Sequence, residues 1–304
     1  MDKEIAALVE ELARGRAPAE APGPESYHAL VGSLPEHEAV RAALFALYTP
    51  EDAPPPPPAQ LRALVRFAQA GWRTFQDPAR AAVVHDAMLA LGDPLQALVP
   101  GLLRELRDPD PFVHGAAARD LETLTHYLGP VGPEDGSAGE ALRGALADPC
   151  ADVRAWAAGA LANLQEDADA CVPALAALAA DPSSHVRAAA AEALDAFGED
   201  ARDAVPALAA LLHDEEPRPA LAAARALTRI GGSTAEVLAG LLHLARRPEA
   251  EARYHGLVAL GSLAAPTREA VEALKSAAEK DPDENVRKAS AESLQRLMQR
   301  HGSV

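Results

Sequence analysis

The stretch Val172-Pro-Ala-Leu-Ala-Ala-Leu-Ala-Ala-Asp181-Pro182-Ser-Ser-His185-Val186-Arg187, continued by an alanine-leucine run to Phe197-Gly198, decides how this sequence folds. It reads as a helix, a turn, a second helix and a stop. Proline after Val172 suits the first turn of a helix, where its missing N–H has no partner to lose. Asp181-Pro182 breaks the chain between the helices, and Gly198 offers a left-handed cap. Working outward, large apolar residues recur at Met88, Leu121, Leu161, Leu194, Leu227, Leu260 and Leu294, in steps of 33, 40, 33, 33, 33 and 34. A second register three residues later, Leu91, Leu124, Leu164, Phe197, Ile230, Leu263 and Leu297, keeps the same steps. Two registers three apart lie on one face of a helix, so the period of about 33 belongs to a helical hairpin repeated along the chain. Proline after Val99 and Val205, Asp-Pro at 108–109, 148–149 and 281–282, and glycine at Gly92 and Gly231 repeat the same punctuation.

One such hairpin cannot bury its own apolar face and must borrow the surfaces of its neighbours. The expected fold is therefore all-α, an α-solenoid of about eight hairpins with the first incomplete. Alanine, about a quarter of the 304 residues, suits helices stacked closely on both sides. The expected organisation is a leading helix and proline-rich linker over 1–25, divergent repeats over 26–98 and regular repeats over 99–304 in one continuous solenoid. Val40 to Tyr48 reads as a degraded second helix, Pro54 to Pro58 as an extended polyproline stretch, and Gly129 to Ser137 as a turn-rich insertion.

Asp-Pro, then Val-Arg, then Ala-Ala-x-x-Ala-Leu resembles the HEAT-repeat family, in particular its short repeats of the phycobilisome-lyase type. Asp148-Pro149 with Val153-Arg154, Asp181-Pro182 with Val186-Arg187, and Asp281-Pro282 with Val286-Arg287 carry the resemblance. It implies a right-handed superhelix and an ionic ladder in which Asp148, Arg154, Asp181, Arg187, Asp281 and Arg287 have structural roles. The pattern is broken in the middle: Asp214 is followed by Ala220, Arg247 instead of aspartate precedes Arg253, and Asp108 is followed by His114.

Composition narrows the function. With 45 acidic against 28 basic residues the net charge is −17, so a nucleic-acid partner is not expected. No run approaches the roughly 18 to 20 apolar residues of a membrane span, and the acidic amphipathic start, Met1 to Leu12, is unlike a signal peptide. Two cysteines, Cys150 and Cys171, suggest a reducing compartment, and the expectation is a cytoplasmic, bacterial protein. The 10 histidines form no HxxxH or HExxH pair, so no metal is expected. Neither a nucleophile elbow nor a phosphate loop occurs, and no cofactor or catalytic residue is assigned.

What remains is a binding surface. The resemblance implies that second helices line the concave face, and the third residue after the repeat's valine runs Ala116, Trp156, Ala189, Ala222, His255, Ala289. Trp156 and His255 thus replace alanine, and Tyr254 adjoins them. With Arg119, His126, Arg225 and Arg229 they make a candidate strip of residue types enriched at interaction hot spots. Trp156 filling a gap between repeats and Tyr254 covering a helix end are equally good readings. The expected function is a non-catalytic scaffold or regulator binding a partner protein that carries a basic patch. The alternative is an enzyme subunit resembling the phycobilin lyases, acting on a tetrapyrrole or another modification substrate.

Overall fold

The computed structural model describes residues 57–74, 85, 88–132, 136–165, 167–231, 234–263 and 267–301. The leading helix, the linker, the unit around Val40 to Tyr48 and most of the polyproline run lie outside the described residues. The chain divides into two compact units, 1–138 and 139–304. Every regular element among the described residues is a helix, so the fold is an all-α solenoid.

The first unit contains α1 (Pro58–Thr74), α2 (Gly92–Gln96), α3 (Val99–Glu105) and α4 (Pro111–Leu128). Gly92 is expected as a left-handed cap after a second helix; it follows the helical residues 88–90 but has no positive φ, and the chain leaves helical geometry at Leu91 (φ −96°, ψ 20°) and resumes it with Gly92 opening α2. A polar clamp ties α1 to the hairpin. Arg62 Nη1 and Nη2 donate to the two carboxylate oxygens of Glu105 at 2.9 and 2.6 Å. Arg62 Nε and Gln69 Nε2 both donate to Asp120 at 2.9 Å. Asp120 is 2% exposed, and a carboxylate buried that deeply is tolerable only with such partners.

The second unit is built of hairpins. Their first helices are α5 (Ser137–Ala145), α7 (Ala168–Ala177), α9 (Val205–Leu211), α11 (Ala235–Leu244) and α13 (Arg268–Lys280). Their second helices are α6 (Ala151–Leu164), α8 (Ser184–Phe197), α10 (Pro217–Ile230), α12 (Ala250–Leu260) and α14 (Glu284–His301). Each second helix packs on the next, α6 on α8, α8 on α10, α10 on α12 and α12 on α14, and the first helices α7, α9, α11 and α13 lie against the second helix of their own hairpin.

The turn between the helices has a local cause. The side chain of Asp148 accepts the Cys150 amide at 2.7 Å, Asp181 the Ser183 amide at 2.8 Å, Asp214 the Glu216 amide at 3.0 Å and Asp281 the Asp283 amide at 3.0 Å. This is the aspartate turn, in which the carboxylate bonds the backbone two residues on and mimics a turn hydrogen bond. Proline after aspartate in three of the four then forbids the helix to run through.

A second sequence expectation is corrected. Pro173 does not open its helix; α7 starts five residues earlier, because the Asp167 side chain accepts the Ala170 amide and caps the helix there, leaving Pro173 inside. In the next hairpin the corresponding residues Gly198–Ala204 form a 3₁₀ turn, and Pro206 does lie in the first turn of α9.

The second apolar register, Leu91 to Leu297, is buried at all seven positions, and in the first register only Leu294 is half-exposed. Each fully buried leucine contributes about 2 kcal/mol. In α8, Ala188, Ala189, Ala190, Ala191 and Ala193 are all buried, since α6 and α10 flank that helix on both sides. Small side chains let three helices approach in one layer.

Candidate functional site

Two sets of polar side chains repeat through the second unit, one at the hairpin turns and one along the second helices. At the turns, arginine from one hairpin grips aspartate of the next. Arg154 Nε and Nη2 donate to the Asp181 carboxylate at 2.7 and 2.8 Å. Arg187 does the same to Asp214 at 2.6 and 2.8 Å, and Arg253 to Asp281 at 2.8 and 2.9 Å. The remaining Nη1 turns back to the carbonyls of its own hairpin turn: Asp148 and Pro149 for Arg154, Asp181 and Pro182 for Arg187, Arg247 and Pro248 for Arg253. Arg287 bonds the Asp281 and Pro282 carbonyls in the same way, at 2.7 and 3.1 Å.

The pairing thus runs forward, from an arginine to an aspartate 27 or 28 residues on. Asp214 and Arg253, which the broken sequence pattern left outside the ladder, each form a rung. In the first unit His114 keeps the place of the arginine, its ring nitrogen 3.0 Å from the Asp108 carbonyl, and within the second unit the break falls at the step where Ala220 and Arg247 stand in place of arginine and aspartate. There Arg247 Nη2 donates to the Asp214 carbonyl, supplying the bond that an arginine at 220 would make. We expect the double substitution Ala220→Arg/Arg247→Asp to recreate a rung, and each single change to lose stability. A double-mutant cycle read by chemical denaturation should show favourable coupling of about 1–2 kcal/mol, and additive effects would mean that the two positions do not interact.

The second set is the strip on the second helices. Arg119 and His126 lie on α4, in the first unit. His126 meets Tyr127 edge-on at 5.3 Å, and desolvation first, then nearby His85, lowers its pKa. In the second unit Trp156 sits half-buried on α6, with α8 and α10 between it and α12. Arg225 and Arg229 on α10 approach Asp195 of α8 at 3.7 and 4.0 Å. Tyr254 and His255 on α12 contact each other edge-on at 5.2 Å, and Tyr254 is 37% exposed. Desolvation lowers the pKa of His255 below its ordinary value of 6.5; Glu251 opposes this and Arg225 reinforces it. The structure therefore brings Arg225, Tyr254 and His255 near one another and leaves Trp156 apart.

Two stretches, 139–228 and 238–302, match the family described as HEAT repeats, and together they take in just over half of the chain. The chain belongs to the HEAT-repeat family. No curated protein matches the sequence. Among solved structures, an engineered protein superposes with TM-score 0.52 at 24% identity, covering 66% of this chain and 96% of that one. The karyopherin Kap121p bound to the extreme C-terminus of the protein phosphatase Cdc14p superposes with TM-score 0.54 at 14% identity, over 98% of this chain and 38% of its own length. Kap121p bound to the SUMO protease Ulp1p gives TM-score 0.52 at 14% identity, over 97% and 33%. This HEAT-repeat chain thus spans about a third of the karyopherins it matches, and at these identities the likeness is one of fold.

Among the described residues of this HEAT-repeat protein, no group of three His, Cys, Asp or Glu side chains is placed to hold a metal ion. No described helix is long and apolar enough to cross a membrane. His213 and His243 come within 5.0 Å ring to ring across neighbouring hairpins, a contact no motif announced because their separation of 30 residues matches neither a helix turn nor the period of about 33. Also missed in the sequence was Phe112, 88% exposed in the first turn of α4.

Proposed function

We propose that this HEAT-repeat chain is a non-catalytic module that binds a partner protein along the layer of second helices, through Trp156 and the group Arg225, Tyr254 and His255. The observation that carries the reading is the exposed Tyr254 ring beside His255, at places where α6 and α8 bury alanine or where α8, α10 and α14 carry it. A repeat protein presents a broad, preorganised surface on which many shallow contacts add, and large aromatic and arginine side chains are the usual anchors on such surfaces. Arg225 and Arg229 are partly neutralised by Asp195, so their contribution is orientation more than net charge. The overall charge of −17 favours a partner with a basic patch, drawn in by long-range attraction.

The test is mass spectrometry of proteins co-purifying with the tagged chain, beside the variant Trp156→Ala/Tyr254→Ala/His255→Ala. A partner in stoichiometric yield that is lost from a variant of unchanged helicity supports the reading. A partner retained by the variant removes the proposed face, and a chain recovered alone with a bound chromophore removes the module reading altogether.

A further inference from the structure

The second helices α12 and α14 do not close over one another at their N-terminal halves. Between them lies an open cleft of about 540 Å³, walled by Glu251 and Tyr254 from α12 and by Asp283, Asn285, Lys288 and Glu292 on the α14 side. In α6 and α8 the place of Tyr254 is taken by the buried alanines Ala155 and Ala188. A phenol ring in a cleft, more than a third exposed, is not needed to fill a core.

The charges around the ring are unequal. Glu251, Asp283 and Glu292 face one cation, Lys288, and its ammonium is already bound to Glu284 at 2.7 Å. Capping accounts for Asp283, whose carboxylate accepts the Asn285 and Val286 amides at 2.8 and 3.1 Å. It does not account for Glu292, two turns into α14, nor for the ring. An aromatic face flanked by uncompensated carboxylates is the chemistry that receives a planar cation: the guanidinium stacks on the ring while its N–H groups reach the carboxylate oxygens.

We propose that the α12–α14 cleft seats an arginine side chain from a basic segment of a partner protein, stacked on Tyr254 and hydrogen-bonded to Glu251 and Glu292. This rests on the reading of the second-helix layer as a protein-binding surface and names one contact within it. The seat is at the surface and open to salt, so its contribution falls as ionic strength rises.

The experiment is fluorescence anisotropy of the full chain with a labelled arginine-rich peptide, compared with peptides in which arginine is replaced by lysine or by the uncharged isostere citrulline. The arginine peptide binds, the lysine peptide binds more weakly, and the citrulline peptide does not bind. Glu251→Gln/Glu292→Gln weakens arginine binding about tenfold, and Tyr254→Leu weakens it several-fold with every charge kept. Glu199→Gln/Asp200→Asn removes the same charge from the exposed turn after α8 and leaves binding unchanged. All these positions are at the surface, and unchanged circular dichroism checks that each variant is folded. No arginine binding, equal binding of arginine and lysine peptides, or equal loss in the two charge-removing pairs overturns the proposal. A protein that co-purifies with the wild type and is lost from the Trp156, Tyr254, His255 variant, while the peptide fails to bind, removes the cleft and leaves the wider reading standing. Peptide binding with no co-purifying protein does the reverse.

Discussion

Replacing Gly256 by valine should destabilise the chain by about 3 kcal/mol, whereas the chemically milder change Gly144→Ala should stabilise it by about 0.5–1 kcal/mol. Both glycines lie inside helices, where alanine is the better residue because glycine loses more backbone freedom on folding. At Gly144, on α5, a Cβ would meet nothing within 4 Å, so only the propensity gain remains. At Gly256, on α12, a Cβ would sit 2.8 Å from the Ala245 amide nitrogen and 3.1 Å from the Leu241 carbonyl oxygen. Those are backbone atoms at the end of α11, and they cannot swing aside as a side chain can. The extra methyls of valine would force the two helices of the hairpin apart, and the cost of such overpacking outweighs any gain in propensity. Chemical denaturation of both variants decides the matter. A Gly256→Val protein as stable as wild type would mean that α11 and α12 do not approach as closely as described.

Removing a ladder arginine should be the other large effect. We expect Arg187→Ala to cost about 2–3 kcal/mol, because it strips the Asp214 carboxylate of two hydrogen bonds and leaves the Asp181 and Pro182 carbonyls without their donor. The side chains are 18% and 6% exposed, so water only partly replaces what is lost. Arg187→Lys should recover part of the stability, since an ammonium keeps the charge but cannot span both carboxylate oxygens and the turn carbonyls at once. By contrast Arg268→Ala, which breaks a pair with Glu272 at 86% and 62% exposure, should leave the denaturation midpoint unchanged. Equal effects of Arg187→Ala and Arg268→Ala would show that the ladder has no structural role.

The same variant has a pH signature. Burial raises the pKa of Asp214, but the Arg187 hydrogen bonds and the Glu216 amide outweigh it and hold the carboxyl below its ordinary value of 3.8. Asp181 behaves likewise with Arg154 and the Ser183 amide, and at Asp281 the Arg253 hydrogen bond is the largest cause. A carboxyl whose folded pKa is depressed contributes stability above its unfolded pKa and loses it as pH falls through the folded one. The wild type should therefore lose stability steeply below about pH 4, and Arg187→Ala should show a shallower acid limb there. His126, His243 and His255, whose pKa desolvation lowers, act at higher pH, as pH falls below 6.5, and cancel when the two proteins are compared.

The repeat could be read from the sequence because it is written in spacing. Leu124, Leu164 and Phe197 mark a helix face whatever surrounds them, and the Asp-Pro turn is a local device that needs no distant partner. The strip was legible as an outlier: Trp156 and His255 stand out only against the alanines at the same place in other hairpins. The rungs were half legible. Asp181 and Arg187 announce a ladder, but which arginine meets which aspartate depends on the offset between stacked hairpins, and that offset put Asp214 and Arg253 into rungs that the pattern within each hairpin appeared to break.

Periodicity, then, determined by itself that this is an all-α stack of hairpins, because apolar spacing and turn chemistry act over a few residues. Only the tertiary structure decided that Gly144 and Gly256 differ in sign, that Arg247 replaces a missing donor, and that Tyr254 walls an acidic cleft. The last two depend on how far one hairpin is displaced against the next, and the first on how closely α11 and α12 approach within one hairpin; spacing in the sequence encodes neither distance, because both are set by the balance of packing among side chains far apart in the chain.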